Sequence, residues 1–175
     1  MAIFEFNELD MPEFEDKLTA PRRRLLLADI SALMLSQRLE VFDTENDGQW
    51  APLSVQAYRA RLSKVPSKNR RKKNAVKILQ DSGVLRQSFT SASGPGSSQK
   101  EVEVTDDMAR IATHVEYAAI HNYGGTIKHP GTKNGFGRGI SIPAHSITIP
   151  ARPFDQFREK DKQEIELLTR KFLDE

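Results

Sequence analysis

From residue 11 to residue 42 the large apolar side chains recur at mixed three- and four-residue spacing (Leu18, Leu25, Ile30, Leu33, Met34, Leu39, Phe42), the period of a helix with one buried face. A break is expected near TAPRRR. Pro21 suits the first turn of a new helix capped by Thr19 or Ala20, because proline's missing N–H is not needed there. A helical pair or a kinked helix follows. DTENDGQWAP then reads as a loop, SVQAYRARLSK as a short helix capped by Ser54, and VPSKNRRKK as a polar break. NAVKILQ reads as a further helix ended at Gly83, which can take the left-handed conformation without a Cβ clash.

Beyond Gly83 the period changes to two. LRQSFTSAS alternates weakly, EVEVT cleanly and ARIATHVEY again, which predicts three antiparallel strands, with SGPGSSQK as the turn between the first two. YAAIHNYGG reads as a short helix closed by Gly124 or Gly125. A glycine-rich loop over 126–139 and a last strand at GISIPAHSITIPA come next. In the C-terminal stretch Phe154, Phe157, Ile165, Leu168 and Phe172 share one side opposite charge, with Pro153 at the first turn, so a long amphipathic helix is expected. The whole is α+β: an antiparallel sheet of about four strands, packed by an N-terminal helical region and a long C-terminal amphipathic helix.

Length and composition narrow the chemistry. With 175 residues, one domain spanning 1–175 is the default, since domains cluster near about 100 to 150 residues. There is no cysteine, so disulfides and thiolate metal sites are excluded. The acidic start MAIFEFNELDMPEFEDK lacks the basic and apolar regions of a secretory signal. No apolar run approaches the roughly 20 residues that span a bilayer. A soluble protein made and kept in a cytoplasm is expected, with no membrane partner.

The net charge of +2 hides a strong segregation. Arg59, Arg61, Lys64, Lys68, Arg70, Arg71, Lys72, Lys73 and Lys77 fall within residues 51–80, which contain no acid, leaving the rest of the chain at −7. Such a segment points to a polyanion or to an acidic protein face. Its stretch 64–74 is expected to be mobile, because four consecutive cations at 70–73 would radiate around a helix axis.

Catalytic patterns are missing. His114, His121, His129 and His145 show neither an HxxxH nor an HExxH spacing. No GxSxG elbow surrounds a serine, and GFGRG lacks the helix and lysine of a phosphate loop. The acids of TEND and TDD read as turn chemistry. Trp50, the only tryptophan, either folds its loop onto the core or anchors a partner, and the first is preferred. No cofactor and no metal are expected.

Four motifs in order, GQWAPL (Gly48 to Leu53), ILQDSGVLRQSF (Ile78 to Phe89), VEYAAIHNYGG (Val115 to Gly125) and IPARPF (Ile149 to Phe154), resemble the phage virion morphogenesis family of Mu-like phages and prophages. The resemblance covers roughly residues 20 to 160. It implies a non-enzymatic tail-completion protein, assembled in the host bacterial cytoplasm and retained in the tail or neck of the virion. It also implies structural roles for Trp50, Gly83, Tyr117, His121, Gly124, Gly125, Arg152, Pro153 and Phe154. The partners implied are other copies in a ring, neighbouring neck or tail proteins, and DNA in the neck channel.

Two other readings remain open from the residues. One is a nucleic-acid-binding protein using residues 51–80. The other, less favoured, is a metal-dependent nuclease or hydrolase built on His121, His129 and His145.

Overall fold

The computed structural model describes residues 2–7, 18–71, 75–135 and 140–174. Its spine is helix α1, Ala20–Thr44, which starts with Thr19 at its N-cap and Pro21 in its first turn. The start of the stretch expected to be helical, 11–17, lies outside the described residues, and ahead of it Ala2–Asn7 form strand β1. Along α1, Leu26, Ile30, Met34, Arg38, Val41 and Phe42 recur at three- and four-residue spacing and are buried. That face lies on a three-stranded antiparallel sheet and on the C-terminal helix α5, Glu159–Asp174.

In this sheet β3, Met108–Thr113, lies between β1 and β2, Lys100–Val104. Ala109, Ile111 and Thr113 point inward at period two, as a strand with one buried face requires. The α+β class and the two terminal helices agree with the sequence reading. The single sheet of about four strands does not: this three-stranded sheet is accompanied by two separate two-stranded ladders.

Three local expectations are corrected. LRQSFTSAS is not a strand, because Val84–Ser88 form a short helix, α3. Leu85, Ser88 and Phe89 are its buried positions, and that spacing fits a helix better than the weak alternation fits a strand. Gly83 is left-handed (φ 77°) but starts α3 and ends nothing before it. The third strand is supplied by β1, and the turn SGPGSSQK contains a 3-10 turn at Pro95–Gln99.

NAVKILQ is likewise not a helix from residue 75 on. It crosses the C-terminal end of α1, where Lys77 Nζ donates to the Asp43 carbonyl (2.7 Å) and Gln80 Nε2 to the Phe42 carbonyl (2.7 Å). Those carbonyls have no acceptor role left within the helix, so satisfying them competes with a helix of the segment's own. Finally, Pro153 does not open the C-terminal helix, which begins six residues later at Glu159. The Asn122 Oδ1 accepts the N–H groups of Phe154 (2.9 Å) and Asp155 (3.3 Å), and Arg38 bonds the carbonyls of Phe154 and Gln156. These bonds hold the entry segment out of helical conformation.

The core closes on an aromatic chain. Phe42 meets Trp50 edge to face at 5.5 Å and Phe154 at 5.4 Å, and Phe154 meets Phe89 at 5.4 Å. Ile165 is buried with them, and Phe157, Leu168 and Phe172 pack against the cluster.

Candidate functional site

Two features leave this core and meet at one foot. The first is helix α2, Val55–Lys64, capped by the Ser54 hydroxyl, which accepts the Ala57 N–H at 3.2 Å. No residue of α2 is buried, and Val55 and Tyr58 are exposed. The second is a hairpin arm. Strand β4, Gly125–His129, pairs with β7, His145–Ile149, and further out β5, Thr132–Gly135, pairs with β6, Ile140–Ile142. Of the stretch expected as a loop over 126–139, 126–129 and 132–135 are strand and 136–139 lie outside the described residues, while GISIPAHSITIPA holds two strands.

Two prolines explain the division. Pro130 and Pro143 lack the N–H a ladder needs, and they fall in the gap between the two ladders. Gly131 bends the chain there at φ 84°, where a Cβ would lie 2.8 Å from the Ala144 nitrogen and the Ile142 carbonyl. Below this joint His129 and His145 are paired in register and their rings stack at 4.9 Å. His129 Nδ1 accepts the Gly131 N–H at 3.1 Å, and His145 Nδ1 lies 3.0 Å from the Pro143 carbonyl.

Alternation divides the inner ladder into two faces. Gly125, Ile127 and His129 lie on one with His145, Ile147 and Ile149, while Thr126, Lys128, Ser146 and Thr148 lie on the other. Ile127 and Ile147 are direct partners, yet they remain 45 % and 49 % exposed. Among the described residues, the arm thus has an apolar face with no core beneath it.

The foot is built from the family-motif residues. Gly124 closes helix α4, Ala118–Tyr123, at φ 73°, and a Cβ there would sit 2.8 Å from the Ala151 nitrogen and 3.0 Å from the Ile149 carbonyl. Gly125 then starts β4, with Ile120 3.4 Å from where a Cβ would be. Tyr117, half-exposed, meets the His121 ring edge to face at 5.8 Å. On the segment after β7 Arg152 donates its backbone N–H to the His121 carbonyl (2.9 Å). Its Nε reaches the Ala51 carbonyl (2.8 Å) and its Nη2 the Pro52 carbonyl (3.1 Å). Trp50 Nε1 donates to the Pro153 carbonyl at 2.9 Å, and Phe154 is fully buried.

The basic segment is split by its contacts. Arg61 Nη1 donates to the Lys77 carbonyl (3.0 Å), Lys64 pairs with Asp81 (2.8 Å), and Arg70 turns back onto the carbonyls of Val65 (2.8 Å) and Ser63 (3.0 Å). Lys77 faces α1, as described above. Arg59, Lys68 and Arg71 are exposed, and among the described residues none of them meets a carboxylate. Lys72 and Lys73 lie outside the described residues.

Of the three histidines considered for a metal, His129 and His145 come together, and His121 belongs to α4 at the foot. Among the described residues no three His, Asp or Glu side chains gather as metal ligands. Also among them, no helix is long and apolar enough to cross a membrane.

Residues the motifs did not single out complete the foot and its support. Asn122, 2 % exposed, ties α4 to 154–155. Arg38 and Asp161 form a buried ion pair at 2.5 Å, and Arg158 wraps the same carboxylate through its Nε and Nη2. Arg38 was detectable, because it lies on the apolar stripe of α1 four residues after Met34. Nothing in the sequence marks Asp161 as its partner.

A profile of the phage virion morphogenesis family matches residues 16–174, nearly the whole chain. No curated protein and no solved structure matches it.

Proposed function

Since the chain belongs to the phage virion morphogenesis family, with a role in building the phage particle, we propose that it is a tail-completion component that acts at the tail end or the head–tail junction, without catalysing a reaction. It does so by joining copies of itself into a ring and by docking neighbouring neck or tail proteins. The observation that carries this reading is the arm. A two-stranded ladder is marginally stable alone, and this one holds Ile127 and Ile147 in the open on one face. A second copy that covers that face relieves both conditions, and head-to-tail contact between unlike faces closes rings. Segregated charge favours the same geometry, because residues 51–80 are wholly basic while the remainder is acidic overall.

The test is an Ile127→Ser, Ile147→Ser double variant, compared with the parent by light scattering and by electron microscopy of particles. The parent should self-associate with rising concentration or on the particle. The variant should stay folded and monomeric, and unjoined heads and tails should accumulate. A protein that is monomeric both alone and in finished particles refutes the ring. A monomer in solution only does not, because a template supplies effective concentration.

A second reading rests on Arg59, Lys68 and Arg71, whose exposure suits DNA in the neck channel. Affinity for duplex would then fall with salt at a slope of about −0.9 per phosphate contact. Protein is preferred as the partner, because no aromatic residue interleaves the cations from Lys64 to Lys77 to stack on a base.

A further inference from the structure

Where α2 meets the foot of the arm, positive charge gathers, and among the described residues its one acidic neighbour, Asp81, is bonded to Lys64. Arg152 is 5 % exposed, and two of its three guanidinium nitrogens are taken by the Ala51 and Pro52 carbonyls just ahead of α2. Arg61, half-buried on α2, spends Nη1 on the Lys77 carbonyl. His121 lies beside them, with its Nδ1 buried and unpaired. Among the described residues neither guanidinium meets a carboxylate, although the same protein pairs its other buried arginine, Arg38, with Asp161.

The three groups share one field. Burial, then the charges of Arg152 and Arg61, hold His121 below the ordinary imidazole range. Burial and the charge of Arg61 lower Arg152 in turn. Buried cations are ordinarily paired, and a guanidinium with free N–H groups beside an imidazole nitrogen is a donor set for a planar oxyanion.

We propose that Arg61, Arg152 and His121 form a receptor for a carboxylate presented by an acidic segment of a partner polypeptide. A carboxylate fits better than a DNA phosphate because the site is recessed. A single Asp or Glu side chain reaches past half-buried Arg61 to Arg152, whereas a duplex backbone stays on the surface cations Arg59, Lys68 and Arg71. The receptor does not depend on where in the particle the protein acts, so failure of the tail assignment leaves it standing.

Trp50 is a built-in reporter, since its indole bonds Pro153, the neighbour of Arg152. The full chain is titrated with a hexaglutamate peptide and, separately, with a short DNA duplex near physiological salt. Trp50 fluorescence and the His121 ring signals in NMR are followed. Hexaglutamate should bind and raise the pH at which His121 titrates, and the duplex should leave that titration unmoved. Arg61→Gln should weaken peptide binding about tenfold, the scale of a charge-assisted hydrogen bond, and Lys68→Gln by less than about twofold. Equal losses in the two variants would mean diffuse attraction and overturn the receptor. An unmoved His121 titration on peptide saturation, read in the parent protein alone, overturns it as well, as does tighter binding of the duplex.

Discussion

Replacing Asp161 by Asn should cost this protein about 3 to 5 kcal/mol, the range for removing one partner of a buried ion pair. The side chains of Arg38 and Asp161 are only 4 % and 1 % exposed. Without the carboxylate, Arg38 keeps the Phe154 and Gln156 carbonyls, the Phe157 ring at 5.1 Å and the more distant charge of Asp155, but no ion-pair partner. The Asn amide would also turn a donor toward the Arg158 fork, which now gives Asp161 its Nε (3.1 Å) and Nη2 (2.8 Å). Total stabilities of about 5 to 15 kcal/mol make this a large fraction. At about 2 to 4 °C per kcal/mol for a chain of this size, Tm should fall by about 6 to 20 °C.

The control is Glu166→Gln, which breaks an exposed i,i+4 pair with Arg170 and should move Tm by no more than about 2 °C. Thermal and urea unfolding give both numbers. The penalty carries a pH signature. Burial alone would raise the Asp161 carboxyl, but the hydrogen bonds from Arg158 and the charges of Arg38 and Arg158 outweigh it and hold the group below the ordinary range. A depressed folded value contributes stability above the unfolded value of about 3.9 and loses it as pH falls through the folded one. The gap between parent and Asp161→Asn should therefore be constant near neutrality and narrow only below about pH 4. A variant within about 1 kcal/mol of the parent at pH 7 would show that the pair does not hold α5 to α1.

Gly124→Ala should destabilise by about 2 kcal/mol or more, because it adds a left-handed backbone to a Cβ 2.8 Å from the Ala151 nitrogen; Gly48→Ala, with φ 76° but open space, should cost about half that by urea titration. His121 is held low in the folded chain by burial and by Arg152 and Arg61, so its contribution is present above the unfolded value of about 6.5 and is lost as pH falls toward the folded one. Unfolding between pH 7 and 5 should accordingly be less pH-dependent in His121→Gln than in the parent.

The elements that pack by periodicity were legible. Residues 20–44 carry a helical stripe, EVEVT and ARIAT alternate, and the C-terminal stretch segregates Ile165, Leu168 and Phe172 from charge; each has its expected conformation. The misread segments are those whose conformation is set by distant hydrogen bonds. Residues 75–83 resemble a helix, but Glu45 Oε1 accepts the Ile78 N–H at 2.7 Å and Leu79 is forced to φ 58°. The turn after α1 is similar: Glu45, Asn46 and Asp47 all take positive φ before Gly48, a conformation without a strong local preference except at glycine and asparagine. It brings Trp50 back onto Phe42, which offsets the strain by aromatic burial.

The arm was misread for a different reason, and that reason bears on its role. Its alternation is real, but residues with no core on either side are free to carry glycine, proline and histidine, so strand composition is diluted by Pro130, Gly131 and Pro143. The foot has no such freedom. Gly124 has no room for a Cβ, Asn122 pins the returning chain at two N–H groups, and the bonds of Arg152 to 51–52 and of Trp50 to Pro153 clamp it to 50–52. A permissive arm on a fixed foot leaves the core in a set direction. The foot has therefore already met much of the ordering cost of presenting Ile127 and Ile147 to a second chain, which is the condition under which a small apolar surface supports association.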